Sequence, residues 1–320
     1  MAQKRLLIVH HGALGDVVAT FPALISLRQF FGHIDALVPG PIGQLAAKLK
    51  IIDNVYGLES AVFATLYSEP VDPKVIRILR SYDSIVLFSR SRQLHQNVKK
   101  HIKKNAHLIP PRPDIDQNIP VSRHILANLV GCGLMHNAGV DYNPLLFSRI
   151  CRDRHAKGAD PAKILIHPGS GSIRKNWPLA NFINVALILK SDGRKPEFIL
   201  GPAEHYLSNA LRLQDFSNLK IHRKDDLSEL TALLQTAGGF IGNDSGVSHL
   251  AAFLGLPSVV VFGPSCPDRW RPSGRSVEVV RPDLDCRPCF ETNSENCETM
   301  ECLTQTTPQE VVDAFYRLVI

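Results

Sequence analysis

Phe240-Ile241-Gly242-Asn243-Asp244-Ser245-Gly246-Val247-Ser248-His249-Leu250-Ala251-Ala252 is the stretch whose reading decides the fold. An apolar run ends in a small polar turn, and an apolar helix starts at once, closing at Gly255 just before Pro257. Asp244 or Ser245 can cap that helix, and Gly246 lets the backbone come close to a ligand. The free amides and positive dipole end of such a helix suit a phosphate. Local geometry leaves two readings open, an ordinary capped turn and an anion loop.

The same strand, loop and helix order recurs on both sides of this segment. Arg5 to His10 reads as a strand, Gly12 to Asp16 as a glycine-punctuated turn, and Val17 to Phe31 as a helix stopped by Gly32. Ile34 to Val38 and Ser84 to Phe88 read as further strands. Four prolines between Ala106 and Pro120 and a polar stretch from Cys151 to Pro161 interrupt the pattern. The pattern then restarts with Lys163 to His167, a helix from Pro178 to about Lys190 and a strand from Glu197 to Leu200. At 320 residues the chain suits two domains, and alternation of this kind predicts a parallel sheet covered by helices in each. The boundary is expected at 158/159. A last amphipathic helix is predicted from Pro308 to Val319, and it is expected to pack back on the N-terminal domain.

Two more loops carry candidate chemistry. His167-Pro168-Gly169-Ser170-Gly171-Ser172-Ile173-Arg174-Lys175-Asn176-Trp177-Pro178 follows a strand, exposes amides of small residues and supplies two cations. It is not a Walker A loop, because no Gly-Lys-Ser/Thr follows the glycines at the required spacing. His11-Gly12-Ala13-Leu14-Gly15-Asp16 stands at the end of the first strand, where open parallel sheets place their ligands. It lacks the third glycine of a dinucleotide fingerprint, so bound NAD is not expected. Asp16 fits equally a helix cap and a functional carboxylate.

The composition is that of a globular chain: 44% apolar, 21% charged and 7% aromatic, with a formal charge of +6. The longest apolar runs are strand-sized, far below the roughly 18 residues that span a bilayer. The opening Met-Ala-Gln-Lys-Arg runs straight into a strand with no long apolar segment. A cytoplasmic protein is therefore expected, peripheral at most to the cytoplasmic face of an inner membrane. The charge is uneven. No acidic residue falls between Asp83 and Asp114, whereas Arg90, Arg92, Lys99, Lys100, Lys103, Lys104 and Arg112 do. A solvated helix face and contact with an anionic acceptor at a membrane surface both account for this stretch. Nucleic acid is not expected, since no recognition fold accompanies the charge.

Gly12-Ala13-Leu14-Gly15-Asp16, His167-Pro168-Gly169-Ser170 with Lys175 and Trp177-Pro178, and Asp244-Ser245-Gly246 with His249 resemble, in order and over nearly the whole chain, the glycosyltransferase family 9 heptosyltransferases. These move L-glycero-D-manno-heptose from ADP-heptose in building the lipopolysaccharide core. The resemblance implies a GT-B fold: two Rossmann-like domains facing an interdomain cleft, an acceptor-binding one at 1–158 and a donor-binding one at 159–320. It also implies inverting transfer without a divalent metal or other cofactor. By position Asp16 resembles the general base and Lys175 the diphosphate-binding lysine. Ser170 and Gly171 resemble the phosphate loop, while Asp244, Ser245, Gly246 and His249 resemble the sugar and phosphate contacts. Glu204 falls near the family's ribose position. Gly15, Arg90 and Arg92 are the expected acceptor contacts, the arginines because a guanidinium pairs bidentately with a carboxylate.

The same residues leave other readings: a family member with another donor or a protein acceptor, a sugar-nucleotide epimerase, or an inactive nucleotide-binding protein. The Asp114/Asp116 and Asp283/Asp285 pairs lie beside prolines and read as solvated loop carboxylates rather than a metal site. Four of the seven cysteines, Cys286, Cys289, Cys297 and Cys302, open with a CxxC and resemble a structural zinc site. Related heptosyltransferases carry cysteines here without a known metal role, so the expectation is reduced thiols in a cytoplasmic loop.

Overall fold

Leu6, Leu7, Ile8 and Val9 are all buried, as a central strand covered on both faces must be. They belong to β1 (Arg5–His10), the middle of a five-stranded sheet in a computed structural model that describes residues 4–102, 105–136, 158–204, 207, 219–292, 297 and 299–319. Its other strands are β2 (His33–Val38), β3 (Val55–Gly57), β4 (Ser84–Phe88) and β5 (Asn105–Ile109). Every pairing is parallel, and the order is β3-β2-β1-β4-β5. The order reverses between β1 and β4, which makes the carboxyl ends of those two strands the place where such a sheet holds a ligand. Helices α1 (Leu14–Leu27), α2 (Gly40–Lys48), α3 (Pro73–Arg80), α4 (Arg92–His101) and α5 (Val121–Gly131) cover the sheet.

Helix α1 begins earlier than the sequence predicts. Asp16 lies in its first turn and accepts the Ala13 amide at 3.2 Å, so an amide that the turn would leave open is satisfied and the helix starts at Leu14. Arg28 caps its other end, short of the expected Phe31.

The second sheet has six parallel strands: β6 (Asp160–His167), β7 (Lys195–Leu200), β8 (Lys220–Arg223), β9 (Ala237–Asn243), β10 (Ser258–Val261) and β11 (Val277–Val280). Their order is β11-β10-β9-β6-β7-β8, a doubly wound arrangement that reverses between β6 and β9. Helices α6 (Leu179–Ser191), α7 (Leu227–Leu234), α8 (Gly246–Phe253) and α9 (Pro308–Val319) accompany it. Packing divides the chain into two compact units, Met1–Asn143 and Pro144–Ile320. Cys151 lies outside the described residues, as do Lys103 and Lys104 of the basic stretch.

Helix α9 lays Val311, Val312, Ala314 and Phe315 into the same core as Ile164, Ile166 and Phe198 of its own unit's sheet. Its apolar stripe is used against α6, β10 and β11 of the same unit.

Candidate active site

In the second unit, the two loops at the sheet's reversal point are tied together by one residue. Asn243, the last of β9 and fully buried, donates from Nδ2 to the Pro168 carbonyl at 2.8 Å and accepts the Trp177 amide on Oδ1 at 3.0 Å. Trp177 is buried against Phe182 and donates from its indole to the Thr306 carbonyl at 3.1 Å. The loop after β6 and the turn into α8 are thereby held side by side. Across them Lys175 Nζ meets Asp244 Oδ2 at 3.2 Å. The Lys175 ammonium also stands 5.1 Å from the centre of the Phe290 ring, with Arg174 at 5.7 Å from the same ring. Ser245 caps α8, its hydroxyl accepting the Ser248 amide at 3.3 Å, with Gly246 as the first helical residue and His249 buried one turn on.

Ser170 is engaged within its own loop: its hydroxyl donates toward the Ser172 carbonyl and Asn176 Oδ1, both at 2.7 Å, and accepts the Ser172 amide. The hydroxyl shapes the loop, and open space surrounds Gly171 beside it. Glu204 stands beside the same loop. It is buried, accepts the Gly201 amide at 2.9 Å and lies 3.6 Å from His167 Nε2. Burial pushes its carboxyl up, but the His167 contact and the backbone amides outweigh it and hold the group below the usual carboxylate range. A Cβ on Gly169 would fall 2.1 Å from Glu204 Cγ. Glu204 therefore fills the space beneath the loop after β6, its carboxylate held by the Gly201 amide and His167.

In the first unit a cavity of about 590 Å³ opens at the other reversal point. His10, His11, Gly12 and Asp16 line it from the end of β1, Phe88, Ser89 and Arg90 from β4, and Pro111 and Arg112 from beyond β5. Without a Cβ, Gly12 lets Asp16 and His10 approach: an added methyl would sit 2.5 Å from each. His10 accepts the Gly12 amide on Nδ1 at 2.9 Å, so its proton sits on Nε2, which is buried with no hydrogen-bond partner. Burial, then the charges of His11 and Arg112, lower its pKa to about 3 and keep it neutral. Tyr67 pairs with His11 at 2.5 Å on the rim. Burial pushes the tyrosine hydroxyl up and the His11 imidazole down.

Of the expected acceptor contacts, only Arg90 lines this cavity, and its guanidinium is already met by Asp114 at 2.9 Å. Arg92 is the first residue of α4, exposed and outside the cavity lining, because Ser91 caps that helix and takes Arg92 into its first turn. Gly15 lies within α1 and is likewise not part of the lining. Arg112, His10, His11 and Tyr67 take places that the sequence reading did not assign. Among the described residues, His33, Asp35 and Asp53 form the one group of three or more ligand-type atoms within 4.8 Å of one another. Their carboxylates already serve Tyr82, Asn54, Arg28 and the Ile34 amide, which explains the group as a structural network.

Two doubly wound units, each gathering its loops at the reversal point of an all-parallel sheet, are the architecture of a glycosyltransferase of the GT-B fold. The model of "Glycosyltransferase family 9 (heptosyltransferase)" matches residues 86–299, and the chain belongs to that family. It is 24% identical over 299 residues to lipopolysaccharide heptosyltransferase 1 of Salmonella typhimurium, covering 82% of this chain and 89% of that one. With lipooligosaccharide heptosyltransferase 2 of Campylobacter jejuni it shares 28% identity over 315 residues, covering 94% and 93%. The solved E. coli heptosyltransferase WaaC with ADP superposes with a TM-score of 0.73 at 19% identity, covering 98% of this chain and 99% of the other. No helix among the described residues is long and apolar enough to cross a membrane.

Proposed function

We propose that this chain transfers L-glycero-D-manno-heptose from its ADP-activated form to an anionic lipopolysaccharide inner-core acceptor, inverting the anomeric centre, at the cytoplasmic face of the inner membrane. The observation that carries the reading is Asp16. Its carboxylate, anchored through the Ala13 amide, lines a cavity with Arg90 and Arg112, the surroundings that an anionic sugar acceptor requires. The names of the relatives, all heptosyltransferases, supply the sugar and the pathway.

On this reading residues 1–158 bind the acceptor and 159–320 the donor. A sugar hydroxyl is a weak nucleophile, and Asp16 takes its proton as the new bond to the anomeric carbon forms. The bond from that carbon to the β-phosphate oxygen breaks on the opposite face, and ADP leaves with the electron pair. Lys175 and the amides at the start of α8, after Ser245 and Gly246, offset the charge that builds on the diphosphate. Asp244 orients Lys175 and, with His249, borders the sugar. The charge of the leaving group is thus met by protein groups, and a divalent ion is given no catalytic task.

The test is ADP release by the purified chain with ADP-heptose and a Kdo-bearing acceptor. Asp16→Asn keeps the side-chain shape, and its turnover is expected to fall about 100-fold or more while ADP still raises the melting temperature. Turnover equal to that of the unaltered chain would remove Asp16 as the base.

A further inference from the structure

Cys286, Cys289, Cys297 and Cys302 are separated by up to sixteen positions in sequence, yet all four line one cavity of about 300 Å³ in the second unit. None is in a disulfide. Cys302 is 8% exposed and sits in a helical turn whose next residue, Leu303, is anchored in the core. The Cys286-Arg287-Pro288-Cys289 arm is pinned to the loop after β10, with the amides of Cys289 and Phe290 both donating to the Pro264 carbonyl at 2.9 and 3.0 Å. Two cations, Arg281 and Arg287, share the lining, and Arg281 Nε is buried with no hydrogen-bond partner. The sulfurs stand around the cavity wider apart than a coordinated set.

We infer that these four cysteines bind one thiophilic divalent metal ion, Zn²⁺ foremost, as a structural tetrathiolate centre. The spacing of a CxxC arm and a second cysteine pair is that of closed structural zinc sites, which use no water ligand. Soft thiolates select such ions over Mg²⁺ or Ca²⁺. Four thiolates and one divalent ion leave a net charge of minus two, which explains why two guanidiniums border a cavity of cysteines. Arg281 Nε is a donor placed to take a thiolate sulfur as its partner, the kind of outer contact that metal sites use to set ligand charge. Four clustered thiols without a cation gain nothing from that arrangement.

The centre has a consequence for the donor loop. Phe290, on which Arg174 and Lys175 stack, follows Cys289 directly and shares its anchor. Loading the site stiffens the floor under Lys175, while the reaction itself passes through no metal.

The experiment is elemental analysis of the full chain after gel filtration, paired with thiol counting. About one equivalent of zinc or iron per chain is expected, falling at least tenfold in Cys286→Ser/Cys289→Ser and unchanged in Cys266→Ser, whose thiol lies outside the cavity. Should the double variant fail to fold, titration of the unaltered chain with a mercurial decides the matter: metal release must track the loss of four thiols. Co²⁺ exchanged into the site should show the sulfur-to-cobalt charge-transfer bands of a tetrahedral tetrathiolate. A metal-free chain whose four thiols react freely in the folded state, a disulfide among them, or metal retained by the folded double variant would overturn the assignment.

Discussion

Lys175 and Asp244 lie 3.2 Å apart with side chains only 15% and 7% exposed, so removing either strands the other's charge in a mostly dry place. Lys175→Gln and Asp244→Asn are each expected to lower stability by about 2 kcal/mol in urea unfolding, and the double substitution to recover most of that loss. Transfer behaves differently. If Lys175 meets the leaving diphosphate, the single and double variants all lose about 100-fold or more in turnover, since the neutralised pair offers no cation. A double variant that regained both stability and turnover would reduce Lys175 to a structural partner of Asp244. This pairing was only half legible in the sequence: both residues stood out by motif, but nothing local shows that residues 69 positions apart make contact.

At the scale of the element, the loop after β6 depends on what lies under it. Gly169→Ala places a methyl 2.1 Å from Glu204 Cγ, and the overpacking is expected to cost about 1–3 kcal/mol. Glu204→Ala removes the obstacle, so the double variant should be more stable than Gly169→Ala alone, measured by thermal unfolding with and without ADP. If both single losses simply add, the two residues do not compete for this space. Strands and helices were readable because their patterns are local: β1, β4 and α9 match the expected bounds residue for residue. The start of α1 was not, since it turns on whether Asp16 caps the Ala13 amide, a choice that periodicity does not encode. The surroundings of Glu204 were not legible for a similar reason. Its neighbours in sequence, Pro202 and Ala203, say nothing of the histidine 37 positions earlier that turns it inward.

At the scale of the whole molecule, each doubly wound unit brings the carboxyl ends of its two innermost strands together, and the candidate groups gather there. Alternating strands and helices announced that much. They did not reveal that β4 and β5 deliver Arg90 and Arg112 to the end of β1, while Arg92, two residues from Arg90, stays outside the cavity. The same assembly sets a pH limit on the fold through His10. Unfolded, its imidazole takes a proton as pH drops through 6.5; folded, burial with His11 and Arg112 nearby delays that to about 3. Its contribution is therefore fully present above pH 6.5 and declines by about 1.4 kcal/mol per pH unit between 6.5 and 3. Between pH 7 and pH 5 the unaltered chain should lose about 2 kcal/mol from this residue alone. His10→Asn keeps an acceptor for the Gly12 amide and cannot take the proton, so its stability starts lower but falls by about 2 kcal/mol less over the same interval. Urea unfolding at both pH values, with turnover followed in parallel, provides the comparison. Equal losses in the two proteins would mean that His10 is not held neutral by the fold.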